Sequence, residues 1–133
     1  MKDLAVGVPG AQQWVNDLPN PTNKKFVADY KAKYNSSPSF YGAQTYDAVA
    51  LIDSTVAAVK GDLSNKEGMR KEMQKANFQS VRGNFKFGNN HIPIQDFYLQ
   101  DAAKNPDGSY SLHSVATIVK DDQDRFHDRC PMK

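Results

Sequence analysis

The stretch Gly42-Ala43-Gln44-Thr45-Tyr46-Asp47-Ala48-Val49-Ala50-Leu51-Ile52-Asp53-Ser54-Thr55-Val56-Ala57-Ala58-Val59 decides the fold. It reads as one helix over about 42–59, with Gly61 placed to end it. Its middle, Ala48-Val49-Ala50-Leu51-Ile52, is apolar almost all round. An amphipathic surface helix would keep a polar face; this one expects neighbours on several sides.

Outward from that helix, Asn20-Pro21-Thr22 opens an earlier one. Asn20 can cap it, and Pro21 suits its first position. Phe26, Tyr30 and Tyr34 then recur at helical spacing beside Val27, and Asn35-Ser36-Ser37-Pro38-Ser39 ends the run. Downstream, Ser64 and Glu67 have the spacing of a capping box, with Met69, Met73 and Ala76 as the inward stripe. Beyond Ala76 the period becomes two: Val81, Phe85 and Phe87 alternate with Arg82, Asn84 and Lys86, and Gly88-Asn89-Asn90 makes a turn. Residues 92–100 and 110–119 read as strands joined through Asn105-Pro106-Asp107-Gly108, a hairpin signal. At the other end, 4–8 is a short apolar run that reads as a buried strand stopped by a turn at Pro9-Gly10. The order is strand, three helices, then a hairpin. One leading strand with three helices cannot complete a parallel sheet, so the expectation is a piece of a larger α/β protein.

Composition narrows the function. The 133 residues make one domain's length, and seven Phe, six Tyr and one Trp are too much aromatic surface for a disordered chain. The net charge is +2 with both signs interleaved, which argues against nucleic acid as a partner. Lys24, Lys25, Lys31 and Lys33 read as the solvated face of their helix. No apolar run reaches the roughly 18 residues of a membrane span. The apolar stretch at 4–10 is too short for the core of a signal peptide. Cys130 is the single cysteine: an inert thiol, or half of a bridge to sequence outside this chain.

Catalytic and metal signatures are missing. Gly7-Val8-Pro9-Gly10 lacks the spacing and the Lys-Ser/Thr of a phosphate loop, and no G-x-S-x-G elbow occurs. Of the three histidines, His91 falls in a turn, His113 alternates outward on its strand, and His127 with Cys130 gives two ligands, short of a zinc site. Asp121, Asp122, Asp124 and Asp128 stand among Arg125 and Arg129 without the Gly and closing Glu of a calcium loop. The residues therefore point to no enzyme activity, no cofactor and no metal. Residues 1–120 form the folded part and 121–133 a polar irregular tail. The aromatic residues at loop ends, Trp14, Phe40, Tyr41 and Tyr46, either belong to the ordinary core, the reading the residues alone favour, or line a pocket.

Read together, Phe26-x-x-x-Tyr30-x-x-x-Tyr34, Pro38-x-x-Tyr41-Gly42-Ala43-x-x-Tyr46-Asp47-Ala48-Val49, Ala76-Asn77-Phe78 and Val81-Arg82-Gly83-Asn84-Phe85-Lys86-Phe87 form an ordered series. The series resembles the last part of the type I periplasmic binding proteins of ABC transporters, the branched-chain amino acid group. The resemblance implies an incomplete piece of a two-lobed α/β fold that closes about a hinge. It implies extracytoplasmic binding of a small organic molecule, such as an amino acid or an aromatic acid, and uptake through a transporter permease met by the full-length protein in the periplasm. It points to Tyr41, Gly42, Ala43 and Tyr46 as cleft-facing, with Val8, Pro9, Gly10 and Trp14 as a second set. The small Gly42-Ala43 pair leaves room for a larger or aromatic ligand. A piece of such a fold exposes apolar surface, so self-association as a dimer is expected. The alternative is a free-standing ligand-sensing or interaction domain, complete as it stands.

Overall fold

Three helices form where local chemistry starts and stops them. In α1 (Pro21–Tyr34), the Asn20 side chain accepts from the Asn23 amide at 2.8 Å, Pro21 sits in the first turn, and Asn35 closes the helix in the left-handed region at φ 50°. Helix α2 (Phe40–Ala58) begins two residues before Gly42, because Ser39 caps it through the Gly42 amide at 3.4 Å. It ends where Lys60 and Gly61 both take positive φ. Helix α3 (Lys66–Lys75) is capped by Asn65, which accepts from the Gly68 amide at 2.9 Å. Ser64 does not cap, as its spacing to Glu67 had implied. Its hydroxyl and amide are both taken by Asp62, at 2.6 and 3.0 Å.

The computed structural model describes residues 2–130 and 132. Its strands are β1 (Pro9–Gln12), β2 (Lys86–Phe87), β3 (Pro93–Lys104) and β4 (Tyr110–Asp122). All of their pairings are antiparallel, and β3 is the hub, pairing with β1, β2 and β4. The β3–β4 hairpin turns through Asn105-Pro106-Asp107-Gly108 as expected, with Gly108 at φ 81° and the Asn105 amide donating to the Ser109 carbonyl at 2.8 Å. Both strands run past their expected ends. The register of β4 slips at three places, including between Leu99 and Gln100.

Two strand expectations need correction. Residues 4–8 are not a buried strand: Lys2–Ala5 is a short 3-10 turn, and Leu4 is 88% exposed. The strand starts at Pro9, where β3 offers partners from Asp101 onward, and a leading proline costs the ladder nothing at a strand's first residue. Pro9-Gly10 is thus strand and not turn. The alternating run at 81–87 likewise yields only Lys86–Phe87 as strand, because Ser80–Gly83 is drawn into a tight bridged turn against α2.

The core lies between α1, the start of α2, the loop after β1 and the inner face of β3. It gathers Trp14, Val15, Leu18, Phe26, Ala43, Val81 and Tyr98. Only one side of α2 is covered: Ala43, Asp47 and Thr55 are buried, whereas Val49 is 61% and Ile52 49% exposed. Strand β4 also shows Val115, Ile118 and Val119 to solvent. The neighbours that the apolar helix calls for are not supplied by the described residues. Strand β4 continues to Asp122, and 124–127 is tied to the 88–91 turn by Asn90 to Asp124 at 2.7 Å and Asn89 to the His127 carbonyl at 3.0 Å.

Candidate ligand-binding site

The loop between β1 and α1 has no regular structure, so side chains must satisfy its backbone. Asn23 does most of this from the first turn of α1. It is fully buried, accepts from the Trp14 indole N–H at 2.7 Å, and donates to the Asn16 and Leu18 carbonyls at 3.1 Å each. Asn20 adds a bond to the Val81 carbonyl at 3.0 Å. The Trp14 ring is then wedged edge-on against Phe26, centroids 6.1 Å apart. Fixed in this way, the loop forms one wall of a cavity of about 270 Å³.

The opposite wall is the entry to α2, Pro38, Ser39 and Phe40, and the third is the hairpin, with Gln100 on β3 and Tyr110 and Leu112 on β4. Among the described residues no Lys, Arg, Asp or Glu lines this cavity. A wider polar groove of about 720 Å³ adjoins it, sharing Asn16, Ser37 and Ser111 and carrying Lys31, Asp17, Asp107 and His113. His113 does not stand free on its strand. Its Nε2 lies 2.9 Å from the Ser111 hydroxyl and 3.1 Å from Asn105 Oδ1, and its Nδ1 is 3.9 Å from Asp17. At the far rim, the Tyr110 hydroxyl donates to Asp3 at 2.6 Å and Lys104 approaches at 3.2 Å. Tyr110 first and Lys104 second hold the Asp3 carboxyl below its ordinary pKa, while Asp3 raises that of the Tyr110 phenol.

The sequence candidates divide around this cavity. Trp14 lines it. Gly10 lies beside it, paired with Gln100, and a Cβ there would come 3.3 Å from the Gln100 amide nitrogen. Val8 and Pro9 are exposed at the edge of the sheet. Tyr41 is 67% exposed and packs on Phe40, centroids 3.9 Å apart, so it stands one ring out from the wall. Gly42 backs onto Pro38, Tyr30 and Phe26; Ala43 is fully buried in the core; Tyr46 leans on Phe26 at 4.8 Å. Gln100, Pro38 and Leu112 went unread as site residues. Nothing local marks them: Gln100 sits within a strand, and only the β1–β3 register brings it beside Gly10.

Asp47, which resembled part of a cleft motif, is a clamp. It is 1% exposed and accepts from Ser80 Oγ at 2.6 Å, the Val81 amide at 2.9 Å and Arg82 Nε at 2.9 Å. Arg82 continues to Gln95 on β3 at 2.8 Å. This chain of bonds fixes α2 against the sheet and so holds the helix entry that walls the cavity. Among the described residues no group of three His, Cys, Asp or Glu side chains could hold a metal ion.

The family described as "Periplasmic binding protein" matches residues 2–108. Among solved structures, the chain is similar to a solute-binding protein of an ABC transporter from R. palustris in complex with benzoate. That match has 30% identity and a TM-score of 0.81, over 91% of this chain and 32% of that one. A solute-binding protein from Rhodopseudomonas palustris BisB5 in complex with 3,4-dihydroxybenzoic acid matches at 25% identity and TM-score 0.75, over 91% and 34%. A leucine-binding protein from Thermotoga maritima matches at 27% and 0.68, over 86% and 31%. The chain spans about a third of the length of these structures. No curated protein matches the sequence.

Proposed function

This chain belongs to the periplasmic binding protein family, and from that premise we propose that it is part of the solute-binding component of an ABC transporter, taking up a small organic molecule such as an amino acid or an aromatic acid. The family and the similar structures are binding proteins of transport systems and not enzymes. On this reading the protein works outside the cytoplasm, in the periplasm, and the complete binding protein hands its ligand to the transporter permease. The structure has the α/β character of a partial type I fold.

The observation that carries the reading is the cavity held by Trp14, Phe40, Pro38 and Gln100. Ligand sites are concave and mostly apolar, with a few polar groups at fixed positions. In this cavity Trp14, Val15, Pro38, Phe40 and Leu112 supply the apolar wall, and Gln12, Asn16 and Gln100 with Ser37, Ser39 and Ser111 supply the polar groups. Tyr41, Gly42, Ala43 and Tyr46 support it in our reading from the side of α2, and Val8, Pro9 and Gly10 from the strand edge. The open cavity's volume of about 270 Å³ falls just below the roughly 300–1,000 Å³ of small-molecule sites, which favours a single-ring or branched-chain compound.

Trp14 is the only tryptophan in the chain, so its fluorescence reports on this cavity alone. Titration with aromatic acids and with branched-chain amino acids is expected to change Trp14 emission saturably for one of the two classes. Emission that stays flat for both classes up to millimolar concentration contradicts the reading.

We further infer that the uncovered faces of α2 and β4 meet a second copy of this chain in solution. Val49 and Ile52 on the helix, with Val115, Ile118 and Val119 on an edge strand paired only through β3, are the support. Long exposed edge strands with apolar side chains pair readily with another strand.

A further inference from the structure

The hairpin wall of the cavity is held by side chains from outside the hairpin. Strand β4 pairs with β3 on one side, and among the described residues no strand pairs with its other edge. Pairing is regular from Lys104↔Tyr110 to Gln100↔Ser114, and the register slips just beyond, between Gln100 and Leu99. A slip of this type disrupts the ladder and leaves backbone outside it. Inside the hairpin, Asn105 Oδ1 accepts from the Ser111 hydroxyl at 3.0 Å and lies 3.1 Å from His113 Nε2. The segment that carries the wall is therefore braced as one piece.

Two carboxylates take hold of this piece at its ends. At the first end, the Tyr110 hydroxyl donates to Asp3 Oδ1 at 2.6 Å, the short range of a hydrogen bond to a charged oxygen. Asp3 belongs to the 3-10 turn Lys2–Ala5, and that region is fixed on β3 by the Gly7 amide, which donates to the Ala102 carbonyl at 2.8 Å. Lys104 Nζ lies 3.2 Å from the same Asp3 oxygen and 5.6 Å from the centroid of the Tyr110 ring. That ion pair is exposed and contributes little by itself. At the second end, the Ser114 amide donates to both oxygens of Asp17, at 3.0 and 3.2 Å. His113 Nδ1, 3.9 Å from Asp17, is beyond hydrogen-bond reach. Asp17 stands in the loop that carries Trp14, so its contact joins the loop wall to the hairpin wall. Tyr110, Ser111 and Leu112, which line the cavity, run from the first anchor toward the second. Asp17 also lines the polar groove, which shares Asn16, Ser37 and Ser111 with the cavity, so this anchor stands where groove and cavity meet.

We propose that Asp3 and Asp17 are positioning residues for the ligand, two carboxylate anchors that hold the hairpin wall against the Trp14 loop and so set how long a bound ligand stays. The proposal rests on the solute-binding reading above and adds control of ligand exchange to it. With an anchor gone, the braced hairpin swings away from the loop and the bound ligand loses contacts on that wall. Changes of this type fall mainly on the dissociation rate.

The test follows Trp14 fluorescence in stopped flow, with benzoate and leucine as probes. It compares the unaltered chain with Asp3→Ala, Asp17→Ala, Asp3→Asn and Asp17→Asn. Both positions are exposed, so the variants are expected to fold, and thermal unfolding checks that. Asparagine keeps an acceptor oxygen for Tyr110 or Ser114; alanine removes it. Each alanine variant should release the bound probe about three- to ten-fold faster, the worth of one hydrogen bond, and each asparagine variant should stay within about two-fold of the unaltered chain. A variant that merely folded less well would bind less probe at an unchanged dissociation rate. Without ligand, Asp17→Ala should raise the acrylamide quenching of Trp14, which is 4% exposed in the intact fold. Dissociation rates unchanged in the alanine variants, or raised equally by asparagine, overturn the anchors and leave the solute-binding reading standing. Failure of the unaltered chain to bind either probe removes that reading, and the proposal with it.

Discussion

Replacing Asp47 with alanine should be among the most damaging single changes in this chain. Its carboxylate accepts three hydrogen bonds, from Ser80 Oγ, the Val81 amide and Arg82 Nε, all within 2.9 Å, and only 1% of the residue is exposed. The variant leaves the Val81 amide unpaired, the Ser80 hydroxyl with only the Arg82 amide donating to it, and the guanidinium without its counter-ion, with Gln95 and the Phe85 ring, 4.3 Å away, as its remaining partners. Removing one partner of a buried ion pair costs about 3–5 kcal/mol. Set against the typical 5–15 kcal/mol of a small domain, that is a large share of the total. Urea unfolding followed by circular dichroism measures it, with the slope compared between variants to confirm that the same transition is being read. Asp47→Asn keeps an acceptor oxygen and loses the charge, so it should fall between the two. The double variant Asp47→Ala/Arg82→Met should be more stable than the sum of the two single effects implies, because the orphaned cation is gone. A loss below about 1 kcal/mol for Asp47→Ala, the range of ordinary surface changes, would refute the clamp.

Asn23→Ala should cost about 2–4 kcal/mol, since it leaves the Trp14 indole N–H and two loop carbonyls without their partners; a red-shifted Trp14 emission would show the loop loosening. Tyr98 should make the fold sensitive to alkali. Burial, and then the Asp96 carboxylate, push its phenol above the ordinary 10.0. A raised folded pKa means that the stabilisation is complete below about pH 10 and is lost as the pH rises through the raised value. Tyr98→Phe should therefore unfold less steeply with pH in that range. Light scattering should find the chain as a dimer or larger, and Val115→Lys with Ile118→Lys should shift it toward monomer; a monomer at all concentrations before mutation contradicts the self-association.

Much of the fold was legible because its punctuation is local. Asn20 with Pro21 marks one helix start, Gly108 with Pro106 and Asp107 marks the hairpin, and the apolar run at 48–52 signals a helix needing cover. The misread elements were decided by competition between side chains or by distant pairing. Ser64 looked like a cap until Asp62 took its hydroxyl. The alternation at 81–87 looked like a strand until Asp47, more than thirty residues away in the chain, captured the Val81 amide. The start of β1 depends on where β3 ends its pairing. The site was half visible. Trp14 and the aromatic residues in the first turns of α2 could be picked out as rings beside loops. Gln100 could not, because a glutamine in a strand carries no signal until the register sets it opposite Gly10.

The central claim is that a small ligand binds in the cavity between the Trp14 loop, the entry to α2 and the hairpin. Two-dimensional nitrogen–proton spectra of the labelled chain, recorded as aromatic acids and branched-chain amino acids are added, test it most directly. The account predicts that one class moves the Trp14 indole, the Gln100 side-chain amide and the backbone amide of Phe40 together along one saturable curve. Peaks that move only on the outer faces of α2 and β4, or none that move at all, would contradict it.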